Sequence, residues 1–312
     1  MSSIPLIDFQ AYGLDIDDPD SVPKEQLELI GNQICGALEK IGFCYLKNHG
    51  FPDDLIKETM KSSLQFFNEP KYVKEKYSKA NNYNVAGWVS VEEESLNPKR
   101  TGDYKELFNL TYEKDSMELP DTPNFESAMK RTFETFSKLS LRIFDVISVG
   151  LQLKDKNFLR NCHLHMGKVG SYTTTRTLYY PPLPENGKLK DGQIRCGEHS
   201  DYGTLTLLFQ DEVGGLEVKT REGDFIKATP IPGTIVVNIG DMMQRWTADR
   251  LIATVHRVLI PEEESKRLEP RQSVAFFVFP DANTMIECLD NSNKYEPINC
   301  DEYLMKKFQE TY

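Results

Sequence analysis

The feature that most restricts the fold of this chain is a change of rhythm near residue 168. Beyond it, short apolar segments alternate with turn signals. "TRTLYYPP", "TLTLLFQ", "GLEVKT", "FIKATPI", "TIVVNIG", "ATVHRVLI" and "QSVAFFVFP" are separated by "EVGG", "EGD", "IPG" and "GD". Seven or eight short strands punctuated in this way predict a closed or double-sheet β architecture, with a jelly roll the leading candidate.

Upstream, the helix period dominates. Leu27, Ile30, Ile34 and Leu38 recur at helical spacing, with Pro23 at the start and Gly42 past the end. "GFCYLKNHG" (42–50) reads as a short strand closed by a turn. Asp53 is placed to cap a second helix that carries Leu55, Met60, Leu64 and Phe67. Met129, Phe133, Phe136, Leu139, Ile143 and Ile147 line one side of a long amphipathic helix over 126–151. The turn-rich, polar stretch 69–125 reads as loop with little regular structure. Leu304, Phe308 and Tyr312 give the tail one apolar stripe.

With 312 residues the chain can bury about three quarters of its extended surface, so it needs neither disulfides nor a structural metal to fold. A net charge of −11 counts against a nucleic-acid or anionic-membrane partner, because both surfaces repel acid. The six cysteines, Cys35, Cys44, Cys162, Cys196, Cys288 and Cys300, form no CxxC pair. "MSSIPLIDFQ" lacks the basic start and long apolar run of a secretory leader, so reduced thiols and a cytoplasmic location are expected. A monomer or weak dimer acting on a small molecule is the accompanying expectation.

"GEHSDYGTLTLLFQD" (197–211) places His199 and Asp201 two apart beside a predicted strand, where i and i+2 share a side. His256, in "ATVHRVLI", sits on another predicted strand. Any one of these has an ordinary explanation as a satisfied core group. Two imidazoles and one carboxylate on strands of a single β unit instead match the facial triad of non-haem Fe(II), which keeps positions open for oxygen and a co-substrate. A rival zinc set could be drawn from Cys162, His163, His165 and Cys196. Its spacings fit no zinc template, so His163 and His165 read as loop or packing residues.

Arg271 and Ser273 share a strand face with Ala275 and Phe277, so the guanidinium points to the core side and needs an anion there. An arginine beside a hydroxyl can hold a carboxylate. Tyr180, before the Pro-Pro turn, either adds a hydroxyl to that carboxylate or packs in the core. Next to an iron triad, such a clamp describes a pocket for a dicarboxylic keto acid.

These motifs, with "GLEV", "VVNIGDMMQRWT" and "IPLIDF", resemble the 2-oxoglutarate- and Fe(II)-dependent oxygenases of the isopenicillin N synthase-like branch over roughly residues 4–281. The resemblance implies iron ligands at His199, Asp201 and His256 and a 2-oxoglutarate clamp at Arg271, Ser273 and Tyr180. Many plant members have Asn where this chain has Leu178, so no role carries over there. The implied fold class is α+β, mainly β: a double-stranded β-helix (jelly roll, cupin-like) flanked by helices. Residues 1–165 would be the helical N-terminal region of non-haem dioxygenase type, 166–285 the oxygenase core and 286–312 a helical tail.

The implied reaction hydroxylates or desaturates a small molecule, using Fe(II), 2-oxoglutarate and O2 and releasing succinate and CO2. Ascorbate is the candidate reductant. Phe277 would line the substrate side and Arg176 would meet an anionic or polar substrate, against core packing or a surface ion pair for each. Two other functions use the same residues: an Fe(II) oxidase that does not consume 2-oxoglutarate, and a catalytically silent binding relative. Family likeness alone does not choose the substrate.

Overall fold

The apolar stripes read from the sequence become buried helix faces. The computed structural model describes residues 3–78, 86–94, 101–111, 118–184, 189–190, 192–260 and 268–311. The chain opens with β1 (Leu6–Asp8), α1 (Lys24–Lys40), β2 (Phe43–Lys47) and α2 (Asp53–Phe67). A short α3 (Lys71–Lys74), β3 (Gly87–Val89) and β4 (Glu106–Leu110) lead to the long α4 (Phe125–Gly150) and to α5 (Phe158–Asn161). Next come β5 (Thr174–Tyr180), β6 (Cys196–His199), β7 (Leu205–Gln210), β8 (Leu216–Lys219), β9 (Phe225–Lys227) and β10 (Thr234–Ile239). Helix α6 (Asp241–Trp246) precedes β11 (His256–Val258) and β12 (Arg271–Val278). A two-stranded ribbon, β13 (Met285–Ile286) with β14 (Ile298–Asn299), ends in α7 (Cys300–Thr311).

Eight strands form one sheet in the order β1-β2-β10-β7-β12-β5-β4-β3, and four form a second in the order β6-β11-β8-β9. Between the sheets lies an apolar layer that includes Phe43, Leu178, Val218, Val236, Val258 and Ala275. This is a jelly-roll core with helices against one face. The other side of the large sheet takes α4, whose Phe136 stacks on Phe276 of β12 with ring centroids 5.0 Å apart. All six apolar residues expected on the α4 stripe are buried. Helices α1 and α4 cross where Gly31 meets Gly150; a Cβ on Gly150 would lie 2.4 Å from the Gly31 carbonyl oxygen. Only glycine permits so close an approach.

Two local expectations need correction. The stretch 69–125 is not irregular throughout, since it contains α3, β3 and β4. Strand β4 pairs antiparallel with β5, with Glu106 opposite Tyr179 and Asn109 opposite Arg176. All five of its residues are buried, so the polar alternation that marks a half-exposed strand is missing. Asp53 is no cap: Pro52 holds that position, and Asp53 and Asp54 stand in the first turn of α2, where their charge favours the helix dipole. Leu304 of α7 is buried as expected, whereas Tyr312 lies outside the described residues. Among the described residues, no helix is long and apolar enough to cross a membrane.

Candidate metal centre and substrate pocket

The small sheet builds the site. His199 ends β6 and His256 begins β11, directly opposite one another in an antiparallel pair. A register irregularity follows, since Val258 pairs with Cys196. Directly opposed residues of an antiparallel pair share a sheet face, so the two imidazoles meet on one side, with ring centroids 4.2 Å apart. Asp201 reaches them differently from the sequence expectation. Strand β6 stops at His199, so the carboxylate arrives from the turn beyond it rather than from the same strand face. Its Oδ1 lies 3.8 Å from His199 Nε2 and 3.8 Å from His256 Nε2.

Each group is held from behind. The Gly197 carbonyl accepts from His199 Nδ1 at 2.8 Å, and the Thr254 carbonyl accepts from His256 Nδ1 at 3.0 Å. With Nδ1 donating, both Nε2 lone pairs face Asp201. Thr206 Oγ1 and Asn238 Nδ2 each donate to Asp201 Oδ2 at 2.7 Å, leaving Oδ1 toward the imidazoles. One ligand atom from each residue lies within 4.8 Å of the others. Burial, reinforced by neighbouring His199, pushes His256 down to about 4. Against burial, His256, His199, Asn238 and Thr206 hold the Asp201 carboxyl below its usual range. Two imidazoles and a carboxylate on one side form a donor set that suits Fe(II).

Arg271 lies deeper, 1% exposed, opposite Tyr180 in the β12–β5 pairing. Its Nε donates to the Gly214 carbonyl at 2.8 Å, and its other nitrogens donate to Ser273 Oγ and Gln210 Oε1, each at 3.2 Å. The guanidinium carbon stands 4.8 Å from the Tyr180 ring centroid. All three acceptors are uncharged; the carboxylate of Asp211 feels the guanidinium's charge but none of these bonds goes to it, so the buried cation has room to pair with an anion.

On the other side of the metal-ligand cluster is a cavity of roughly 110 Å³. Glu94, Asn109, Arg176, Phe277, Tyr202 and Phe308 line it together with His199 and Asp201. Arg176 Nε donates to Asn109 Oδ1 at 2.8 Å, and Nη1 lies 3.3 Å from Glu94 Oε1. Its guanidinium carbon sits 5.2 Å from the Phe277 ring centroid. Against burial, Arg176 and Lys105 hold the Glu94 carboxyl down to about 2.

Sequence reasoning missed Glu94, Asn109, Thr206 and Asn238. An asparagine inside the apolar "VVNIG" was a readable signal, but Glu94 gave none, since its place depends on the path of a loop. His163 and His165 stand apart from the cluster. His163 is fully buried, with Nδ1 at 2.6 Å from the Leu159 carbonyl and Nε2 at 2.9 Å from Thr204 Oγ1. His165 Nδ1 lies 3.2 Å from Asp281.

Two family models match the chain. The 2OG-Fe(II) oxygenase superfamily covers residues 171–280, and the N-terminal region of non-haem dioxygenase in morphine synthesis covers 4–130. A 2-oxoglutarate-dependent dioxygenase of Aspergillus rugulosus, htyE, is 32% identical, over 88% of this chain and 89% of its own length. A full-length Neurospora crassa protein in complex with alpha-KG superposes with a TM-score of 0.85 at 31% identity, covering 98% of this chain and 96% of that one. The same protein with alpha-KG and thymine gives 0.84 at 30% identity, covering 99% and 97%. The jelly roll, the metal-ligand cluster and these likenesses agree: the chain belongs to the 2OG-Fe(II) oxygenase superfamily, as a 2-oxoglutarate-dependent Fe(II) dioxygenase of small molecules.

Proposed function

We propose that His199, Asp201 and His256 hold the Fe(II), that Arg271, Ser273 and Tyr180 hold the far carboxylate of 2-oxoglutarate, and that the substrate is a neutral, flat cyclic amide of the pyrimidine-base type. With 2-oxoglutarate, the metal supplies the oxidising power, and succinate and CO2 leave. The protein supplies placement and dryness. Arg271 fixes the co-substrate's direction, and Phe277, Phe279 and Phe308 wall the cavity against water.

One observation carries the substrate reading: the pocket arginine is already neutralised. Arg176 faces Glu94, which is buried and also lies 3.0 Å from Lys105 Nζ. An anionic substrate would have to displace a fixed carboxylate. A neutral molecule with a carbonyl beside an N–H can instead use both charges, accepting from Arg176 and donating to Glu94. Asn109 commits its carbonyl to Arg176, so its amide N–H groups remain to offer. Phe277 gives a ring a face to lie on. The thymine complex of the Neurospora crassa protein supports the same class.

The test is calorimetric titration of protein loaded with Mn(II) and 2-oxoglutarate. Thymine or uracil should bind, whereas orotate, the same ring bearing a carboxylate, and proline should not. Binding of orotate or proline without binding of thymine or uracil would overturn this reading. The acidic net charge and the free thiols of all six cysteines support a cytoplasmic protein that works without nucleic acid or an anionic membrane.

A further inference from the structure

Lys105 lies immediately before β4 with its side chain 2% exposed, among three acceptors. Its Nζ stands 2.6 Å from Asp103 Oδ2, 3.0 Å from Glu94 Oε2 and 3.3 Å from Cys196 Sγ. An ammonium has three N–H donors, and here each has a partner. Two arms leave this hub. Along the first, Asp103 Oδ1 accepts from the Gly197 backbone N–H at 3.0 Å, and the Gly197 carbonyl accepts from His199 Nδ1. Along the second, Glu94 reaches Arg176 in the cavity.

We propose that Lys105 is a positioning residue that ties the substrate pocket to the metal centre, fixing Asp103 beneath His199 and Glu94 behind Arg176 with a single ammonium. The pocket arm rests on the reading of Arg176 as a substrate contact; the His199 arm does not. Glu94 and Asp103 are two buried carboxylates within reach of one cation, and their spacing is set by it. Arg176 lies 3.3 Å from Glu94, a looser contact than the 3.0 Å from Lys105, so the acid is placed chiefly from behind. Movement of Glu94 when a ligand engages Arg176 is therefore felt by Asp103, and through Gly197 by the imidazole that faces the metal. Coupling of this kind acts equally in both directions: metal occupancy must improve binding in the pocket by the same factor that pocket occupancy improves binding of the metal.

The simplest alternative is that Lys105 only balances charge. The network holds two cations, Lys105 and Arg176, against two carboxylates, Glu94 and Asp103. K105M leaves one negative charge in excess, while K105M/E94Q restores neutrality without restoring the hub. The double variant therefore separates charge from position, and it keeps the test usable if K105M fails to fold.

Co(II) titration, its visible ligand-field spectrum and the melting temperature are read for wild type and both variants. Loss of a group that orients a metal ligand typically costs tenfold or more in metal affinity. K105M/E94Q, folded with a wild-type melting temperature, should bind Co(II) about tenfold more weakly and with an altered spectrum. Wild-type affinity and spectrum in that folded variant would overturn the proposal. The pocket arm is read with thymine as the probe in wild type and in K105M/D103N, which is also charge-balanced and keeps Glu94 and Arg176: thymine should tighten Co(II) binding in wild type and, while still binding, have no effect on it in K105M/D103N. If thymine does not bind wild-type protein, the substrate reading falls, while the Co(II) result still decides the role of Lys105. A coupling that persists in K105M/D103N would refute the link between the two arms.

Discussion

Removing the Arg271 guanidinium isolates what the deep end of the pocket contributes. Arg271→Leu keeps much of the side-chain volume and deletes a cation that is 1% exposed. A carboxylate bound there meets a charge already stripped of water, and losing one partner of such a pair costs about 2–5 kcal/mol. At 1.4 kcal/mol per tenfold, that is roughly 30-fold to several thousand-fold in Kd. The hydroxyls of Ser273 and Tyr180 remain to accompany the carboxylate, so the lower part of that range, about 30- to 300-fold, is expected. The assay is titration of Mn(II)-loaded protein with 2-oxoglutarate and, separately, with pyruvate. Pyruvate shares the metal-binding end but has no far carboxylate, so its Kd should change less than about twofold while that of 2-oxoglutarate rises. Equal weakening of both acids would mean that the substitution has disturbed the metal centre. No weakening of either would place the clamp elsewhere.

Two further outcomes follow from groups behind the site and beneath it. Asn238→Ala and Thr206→Val each remove one of the two donors to Asp201 Oδ2, and each should weaken Co(II) binding about tenfold in calorimetry; unchanged affinity would show that Asp201 needs no support. Burial pushes His163 down to about 4, between the stacked ring of Phe144 and Thr204. Above about pH 6.5 neither the folded nor the unfolded chain protonates this imidazole, so it has no effect there. As the pH falls from 6.5 toward 4 the unfolded chain takes up the proton first, and stability drops by about 3 kcal/mol in all. Urea melts of wild type and His163→Leu across that window should therefore converge as the medium is acidified, and parallel curves would refute the buried neutral state.

How much of this was legible in the sequence depended on which forces were local. Helices α1 and α4 declared themselves because each buries one stripe, and the later strands did so because turns bracket them. Arg271 could be turned inward by parity alone, since β12 runs unbroken from Arg271 to Val278. The same parity argument paired His199 with Asp201 for an incomplete reason, because the chain leaves the strand between them. Strand β4 stayed hidden because neighbours cover both its faces. Lys105 and Glu94 stayed hidden for a different reason. Asp103 is a neighbour in sequence, but Arg176 of β5 and Cys196 of β6 come from far along the chain, and no local pattern records such a meeting.

The placement of β2 carries a cost in time. In the finished sheet it lies beside β10, where Thr234 faces Lys47, a partner 187 residues earlier in the chain. At about 5–20 residues per second, a ribosome needs on the order of 10–40 seconds to supply that partner. Throughout that interval a newly made apolar strand has only the short β1 on one edge and early helices to shelter it, so slowed translation or scarce chaperones should reduce the yield of this protein long before they alter the finished molecule.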